Sequence, residues 1–339
     1  MISAGSGAWT EPGAFEVAPG VWRIPLPLPG DGLKAVNVYA LRTPGGLVLV
    51  DAGWAIPESR RLLEAGLAQL DASLADVERF LITHVHRDHY TQAVAVRRDL
   101  GTRIGLGAGE RPTMELLQGP GRDGLLAQVT GLRRLGADAL ADQLEAMLAG
   151  ATLERTDWAL PDEWLVSGPI AVGDRVLEAV STPGHTAGHL VFHDVAAGLL
   201  FAGDHVLPTI TPSIGFEPVP TPDPLGAFLR SLAVVRSRPD ALLLPAHGPV
   251  APSVHARLEE LLAFHERRLA ETAEAVAAGA HTAYDVASRL GWTRRLRRMD
   301  ELDPFNAMLA TFETAAHLVL LTAQGHLEQT ESGGVQVWS

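Results

Sequence analysis

The run Thr83-His84-Val85-His86-Arg87-Asp88-His89 holds four side chains able to ligate a cation. Neutral imidazoles suit zinc, copper, nickel or iron, and a carboxylate adds neutralising charge. The motif follows the apolar run ERFLI, so strand periodicity sends His84 and His86 to one side, and a tight turn brings Asp88 and His89 to a neighbouring position. Two cation positions are suggested, with too few ligands here to fill both. Further candidates stand where later apolar runs end: His185 in PGHTAGH, Asp204 in AGDH and His247 in PAHG. Each adjoins Gly or Pro, which lets the backbone turn sharply and present the side chain to a common sheet edge. The chain has no cysteine, so any transition metal must be held by nitrogen and oxygen.

Those groups need a sheet to carry them. VWRIPLP, AVNVYALR and LVLVDAG, broken by turn residues, read as antiparallel strands between Gly20 and Asp51. A helix is expected over about 57–70, then the buried strand ending in histidines, a helix over 90–100 and the strand TRIGLGAGE. Residues 111–164 read as a helical insertion, rich in Ala and Leu at helical period with almost no β-branched run. Strand signals return with PIAVGDRVLEAVS and with HLVFHDVAAGLLFAGDH, whose Ala-Ala-Gly suggests a hairpin, and ALLLPAHG is a last short buried strand after the helix LGAFLRSLAVVRSR. Beyond Pro252 a long amphipathic helix, a short helix with Thr282 as N-cap, and a third helix with a hairpin-like tail are expected.

The length of 339 residues and 47% hydrophobic content suffice for one large domain plus an appendage. The formal charge of −13 repels polyanions and disfavours a nucleic-acid partner. Neither a secretory leader nor a long apolar span is visible, and the expectation is a cytoplasmic protein that does not enter a membrane.

In this order, LVDAG, THVHRDH, PGHTAGH, AGDH and PAHG resemble the motifs of the metallo-β-lactamase superfamily, over about Val17 to Val250. The resemblance implies an α/β fold, a four-layer αββα sandwich with the site at one edge of its two sheets. The expected division is 15–252 for this domain, including the insertion, and 253–339 for a C-terminal module similar to the winged-helix-like tail of lactamase-β-like hydrolases. Carried over by position, His84, His86 and His185 would hold one ion, Asp88, His89 and His247 the other, and Asp204 would bridge them; Asp51 would buttress the ligands. Two zinc ions are implied, with iron or manganese as alternatives. Such a pair makes water reactive at neutral pH without a Ser or Cys nucleophile. Asp88 would orient the attacking hydroxide and pass its proton. Tyr90 and Thr91 stand where the family commonly has small residues, and Tyr90 is read as narrowing the cleft or donating to a substrate oxygen. A bridging Asp204 resembles the thioesterase, lactonase and nuclease branches more than the true β-lactamases.

The leading expectation is hydrolysis of a small acyl ester, thioester or lactone. A phosphodiesterase or ribonuclease is the alternative, anchored by Arg294, Arg295, Arg297 and Arg298, although Asp300, Glu301 and Asp303 stand close enough to pair with that cluster and make it a solvated face. Further alternatives are a metal-binding regulatory protein with a nucleic-acid- or partner-binding tail, and a redox protein with a single iron. A homodimer is compatible with the insertion serving as a contact. His189 is read as structural, His205 as undecided, and Trp54 as lining the entrance or simply packing.

Overall fold

The computed structural model describes residues 9–30, 32–119, 123–148, 155–293 and 295–339. Its first sheet runs in the order β1 (Phe15–Ala18), β2 (Val21–Pro27), β3 (Ala35–Thr43), β4 (Gly46–Val50), β5 (Val77–Ile82), β6 (Arg103–Gly107) and β7 (Glu163–Leu165), antiparallel through β4 and parallel thereafter. The second contains β8 (Gly168–Val172), β9 (Arg175–Ser181), β10 (Leu190–Asp194), β11 (Leu199–Gly203) and β12 (Leu242–Pro245), with β12 at one edge beside β11. The strands from β2 to β6 and from β8 to β12 follow the expected runs; β1 and β7 are short additions that the sequence did not announce.

Period-two alternation assigns side chains to layers. On β4, Leu47 and Leu49 face an outer core with Leu63 and Leu67 of α1 (Pro57–Ala68) and Ala93 and Val96 of α2 (Arg87–Leu100). Val48 and Val50 turn inward, against Leu177, Leu190, Phe192 and Phe201 of the second sheet. That sheet's other face, with Val191, Leu200 and Leu243, packs on Leu225, Phe228 and Leu232 of α6 (Pro224–Arg236) and on Leu258 and Leu261 of α7 (Val254–Ala277). The result is the expected αββα stack. With both sheet faces covered, β10 and β11 are apolar runs almost throughout, and each fully buried aliphatic or Phe side chain stabilises by about 1.5–3 kcal/mol.

The insertion forms α3 (Arg111–Gln118), α4 (Asp123–Arg134), α5 (Asp138–Leu148) and a 3₁₀ turn, Arg155–Trp158. Beyond α7 come α8 (Ala283–Arg289), α9 (Pro304–Ala323) and the hairpin β13 (Gln329–Ser332) and β14 (Val335–Trp338). Asp223, Ser253, Thr282 and Asp303 each accept an amide hydrogen at the N-terminus of α6, α7, α8 and α9 in turn. Leu132 of α4 and Leu140 and Leu144 of α5 share one core with Val286 of α8, Met308 and Leu318 of α9, and Trp338. Helical periodicity marks each apolar face but not its partner, so this shared core was not legible from the two segments separately. α9 is long and apolar enough to cross a bilayer by length and composition; it lies instead against α4, α5, α7 and α8, which accounts for its hydropathy as that of a core helix.

Candidate metal centre

β5 ends at Ile82, before the histidines. His84 therefore lies in the turn after the strand, His86 is the N-cap of α2, and Asp88 and His89 occupy the first turn of that helix. Strand alternation is thus not what brings His84 and His86 together; the strand-to-helix turn does. Asp204 follows β11, His247 follows β12 and His185 stands in the β9–β10 connection, so all the candidates gather at one edge of the two sheets.

Their ligand atoms form two groups, each with all members within 4.8 Å of one another: His84, His86, His185 and Asp204, and then Asp88, His89 and His247. Asp204 joins them, with Oδ2 3.5 Å from His185 Nε2 and Oδ1 3.3 Å from His247 Nε2 and 3.7 Å from His89 Nε2. Asp88 Oδ2 is 3.4 Å from His247 Nε2 and 3.6 Å from His89 Nε2.

Partners on the far side of the His84, His89, His185 and His247 rings fix their orientation. His185 Nδ1 donates to the Ser213 carbonyl at 2.8 Å, His247 Nδ1 to that of Ala35 at 2.8 Å, and His89 Nδ1 faces Asp51 Oδ2 at 2.9 Å. Thr83 Oγ1 lies 3.0 Å from His84 Nδ1 and donates to Asp51, whose Oδ1 also accepts the Thr83 amide at 2.8 Å. Asp51 adopts the left-handed region, φ 60°, uncommon outside glycine, and its carboxylate holds both ends of the segment from Thr83 to His89. From β3, Asn37 donates to the carbonyls of Pro245 and Gly248, both at 2.9 Å, and Tyr39 to that of Pro245 at 2.8 Å, holding the His247 loop.

A divalent cation fits this donor set. The buried atoms His89 Nε2, His247 Nε2 and Asp204 Oδ1 have no hydrogen-bond partner, an arrangement that is costly unless a cation accepts their lone pairs. His86 Nδ1 lies 3.0 Å from His84 Nε2 and 3.1 Å from His185 Nε2, close to the roughly 3.3 Å edge of a tetrahedron with zinc–nitrogen bonds of about 2.0 Å. Electrostatics agree. Burial and then His185 push His86 down to about 3, keeping it neutral, as a ligand must be. Burial also disfavours charge on His89, yet Asp51, Asp88 and Asp204 together hold it up at about 10, the mark of a pocket that calls for positive charge.

The family model described as the metallo-beta-lactamase superfamily matches residues 31–247, a stretch containing every one of these side chains. The chain belongs to the metallo-β-lactamase superfamily. A solved structure similar to this superfamily member is a beta-lactamase domain protein from Burkholderia ambifaria, with TM-score 0.82, 28% identity, and coverage of 99% of this chain and 96% of that one. Among curated relatives, the probable metallo-hydrolase YqjP of Bacillus subtilis is 25% identical over 89% of this chain and 91% of its own length. The atrochrysone carboxyl ACP thioesterase nsrC of Aspergillus novofumigatus is 25% identical over 78% of this chain and 65% of its own length. The chain spans 59% to 63% of the length of the fungal lactamase-like proteins adaB and ptaB.

Tyr90, expected to narrow the cleft or to donate to a substrate oxygen, is instead buried. Its ring is fully buried and stacked on Trp158, and its hydroxyl donates to the Ala159 carbonyl at 2.6 Å; at the fourth position of α2 it turns toward the insertion and serves packing. Trp54 packs on the outer core with the Arg87 guanidinium 4.3 Å above its ring. His189 is structural: Nδ1 meets Thr182 Oγ1 at 2.9 Å and Nε2 accepts the Asp204 amide at 3.1 Å. Gly203, φ 50°, precedes that aspartate because a Cβ there would stand 2.7 Å from both His189 Nε2 and the Thr83 side chain. His205 lies against Phe228, outside both ligand groups. Arg294 falls outside the described residues, while Arg295, Arg297 and Arg298 are exposed.

Two carboxylates behind the ligand loops carried no sequence signal. Glu110, after β6, is fully buried; Thr186 donates its hydroxyl to it, and the amides of Val85 and Gly188 turn toward it. Burial raises its pKa to about 8. Glu217 accepts the Ala187 amide at 2.7 Å, and burial raises it to about 7. Their partners are mostly backbone amides distant in sequence, which no motif records.

Proposed function

We propose that this chain is a binuclear metal-dependent hydrolase that cleaves a small acyl ester, thioester or lactone, with zinc as the metal and iron or manganese as substitutes. The observation that carries this reading is Asp204, set between two candidate ligand groups, with its own Oδ1 and the inward nitrogens of His89 and His247 lacking a hydrogen-bond partner. His84, His86 and His185 would hold one cation, Asp88, His89 and His247 the other, and Asp204 would contact both. When bound, such a pair supplies Lewis acidity and a water made acidic enough to react near neutral pH.

The remaining chemistry belongs to the chain. Asp88 keeps 14% of its side chain exposed, and against the penalty of burial His89 and His247 hold its carboxyl below the usual range, hence ionised. It can accept a proton from an attacking water and return it to the departing thiolate or alkoxide. Asp51, Thr83, Asn37 and Tyr39 keep the imidazoles and their loops aimed, so little reorganisation is needed during reaction. The thioesterase relative supports an acyl substrate, and the exposed arginines lie on no element that carries a ligand. We place this activity in the cytoplasm, on a small molecule rather than on nucleic acid.

Zinc-loaded protein is expected to hydrolyse members of a panel of acyl thioesters and lactones, with a His84→Ala, Asp88→Ala protein at the uncatalysed rate. Turnover no higher than that control, or turnover confined to phosphodiesters, contradicts the acyl-hydrolase reading.

A further inference from the structure

Beside His86 the chain builds an aromatic corner from two distant segments. Phe216, in the β11–α6 connection, has its ring centroid 6.3 Å from that of His86, and Phe305, in the first turn of α9, meets Phe216 edge-on at 5.8 Å and 78°. Phe216 is held from both sides: Gln128 of α4 donates to its carbonyl at 3.0 Å, and its neighbour Glu217 accepts the Ala187 amide beside His185. Gly215, φ 85°, sets the turn that presents the ring. Phe305 follows Pro304 at a helix start capped by Asp303, and is 47% exposed. A half-exposed phenyl ring at a helix start, next to a core-packed ring whose centroid lies 6.3 Å from that of a metal-ligand candidate, places an apolar surface beside a polar centre.

We infer that Phe216 and Phe305 form the subsite for an aryl group on the acyl part of the substrate. This inference rests on the acyl-hydrolase reading and deepens it. Two rings near 78° receive a third planar ring face-on to one and edge-on to the other, the geometries that aromatic quadrupoles favour. A flexible alkyl chain loses rotamer freedom in the same corner and gains no such contact. Aryl binding there lays the acyl carbonyl toward His86 and the ligand groups around it.

The test compares phenylacetyl, octanoyl and acetyl thioesters of one thiol on zinc-loaded wild type, Phe305→Ala, Phe216→Ala and the bulk-retaining Phe305→Leu, with zinc content and thermal unfolding measured for each. Phe305→Ala is expected to raise KM for the phenylacetyl substrate roughly tenfold, from lost burial and ring contact, while kcat, zinc content and acetyl turnover hold. Phe305→Leu is expected to recover only part of the loss. Equal effects on acetyl and phenylacetyl substrates, or an octanoyl preference matching the phenylacetyl one, overturn the aryl subsite. Calorimetric binding of phenylacetate against acetate separates this inference from the reading beneath it. If no thioester is turned over, tighter phenylacetate binding that Phe305→Ala abolishes upholds the subsite and leaves the hydrolase reading to fall, whereas equal binding of the two acids overturns the subsite itself.

Discussion

Asp204→Ala is expected to lower kcat/KM for the best acyl substrate by about a thousandfold or more while the chain stays folded. Its two oxygens reach toward His185 on one side and toward His247 and His89 on the other, so the carboxylate stands between the two groups. Against the cost of burial, His247, His89 and His185 hold its carboxyl well below the usual range, keeping it anionic between the two groups. If each group held a cation as proposed, removing that charge would leave their mutual repulsion less compensated and each position one donor short. A thousandfold corresponds to about 4 kcal/mol of transition-state stabilisation, the scale of such electrostatic effects. Steady-state kinetics with metal content measured in parallel checks this; retained activity with unchanged metal content would contradict the bridging role proposed for Asp204.

Glu110→Ala is expected to destabilise the protein by about 3–5 kcal/mol, by leaving a cavity and stranding the Thr186 hydroxyl and the amides that face the carboxyl. Glu110→Gln keeps shape and acceptor, and its cost near neutral pH is expected to be about 1 kcal/mol. The two variants also differ in pH dependence. A carboxyl raised from 4.5 to about 8 binds its proton more tightly in the folded state than in the unfolded one. Its stabilising contribution is therefore complete below pH 4.5 and is lost as pH rises through about 8. Relative to Glu110→Gln, the wild type should lose stability between those limits by an amount on the order of 4 kcal/mol. Denaturant unfolding of the metal-free proteins at pH 5, 7 and 9 measures the difference, and a wild-type advantage that grows with pH would show that the buried carboxyl is ionised and paired.

The convergence of these seven side chains is legible because metal chemistry restricts side-chain types and because Gly and Pro mark the loops that carry them. LVLVDAG and AGLLFAGDH announce both an apolar strand and the turn that ends it. What was not legible shares one cause: the partners are backbone groups or come from remote chain. Glu110 acts through amides near 85 and 188, and Asn37 through carbonyls more than 200 residues away. Tyr90 misled because adjacency to Asp88 and His89 in sequence is not adjacency in a helix, where the next residue points about 100° away. Strand alternation does not unite His84 and His86, because the chain has left β5 before reaching them.

The most direct test is anomalous diffraction from crystals of the zinc-loaded protein. Two peaks are predicted, one among His84, His86 and His185 and one among Asp88, His89 and His247, with the Asp204 carboxylate between them. Crystals with no zinc at either position, or with these seven side chains apart from one another, would contradict the metal centre and the hydrolysis built on it.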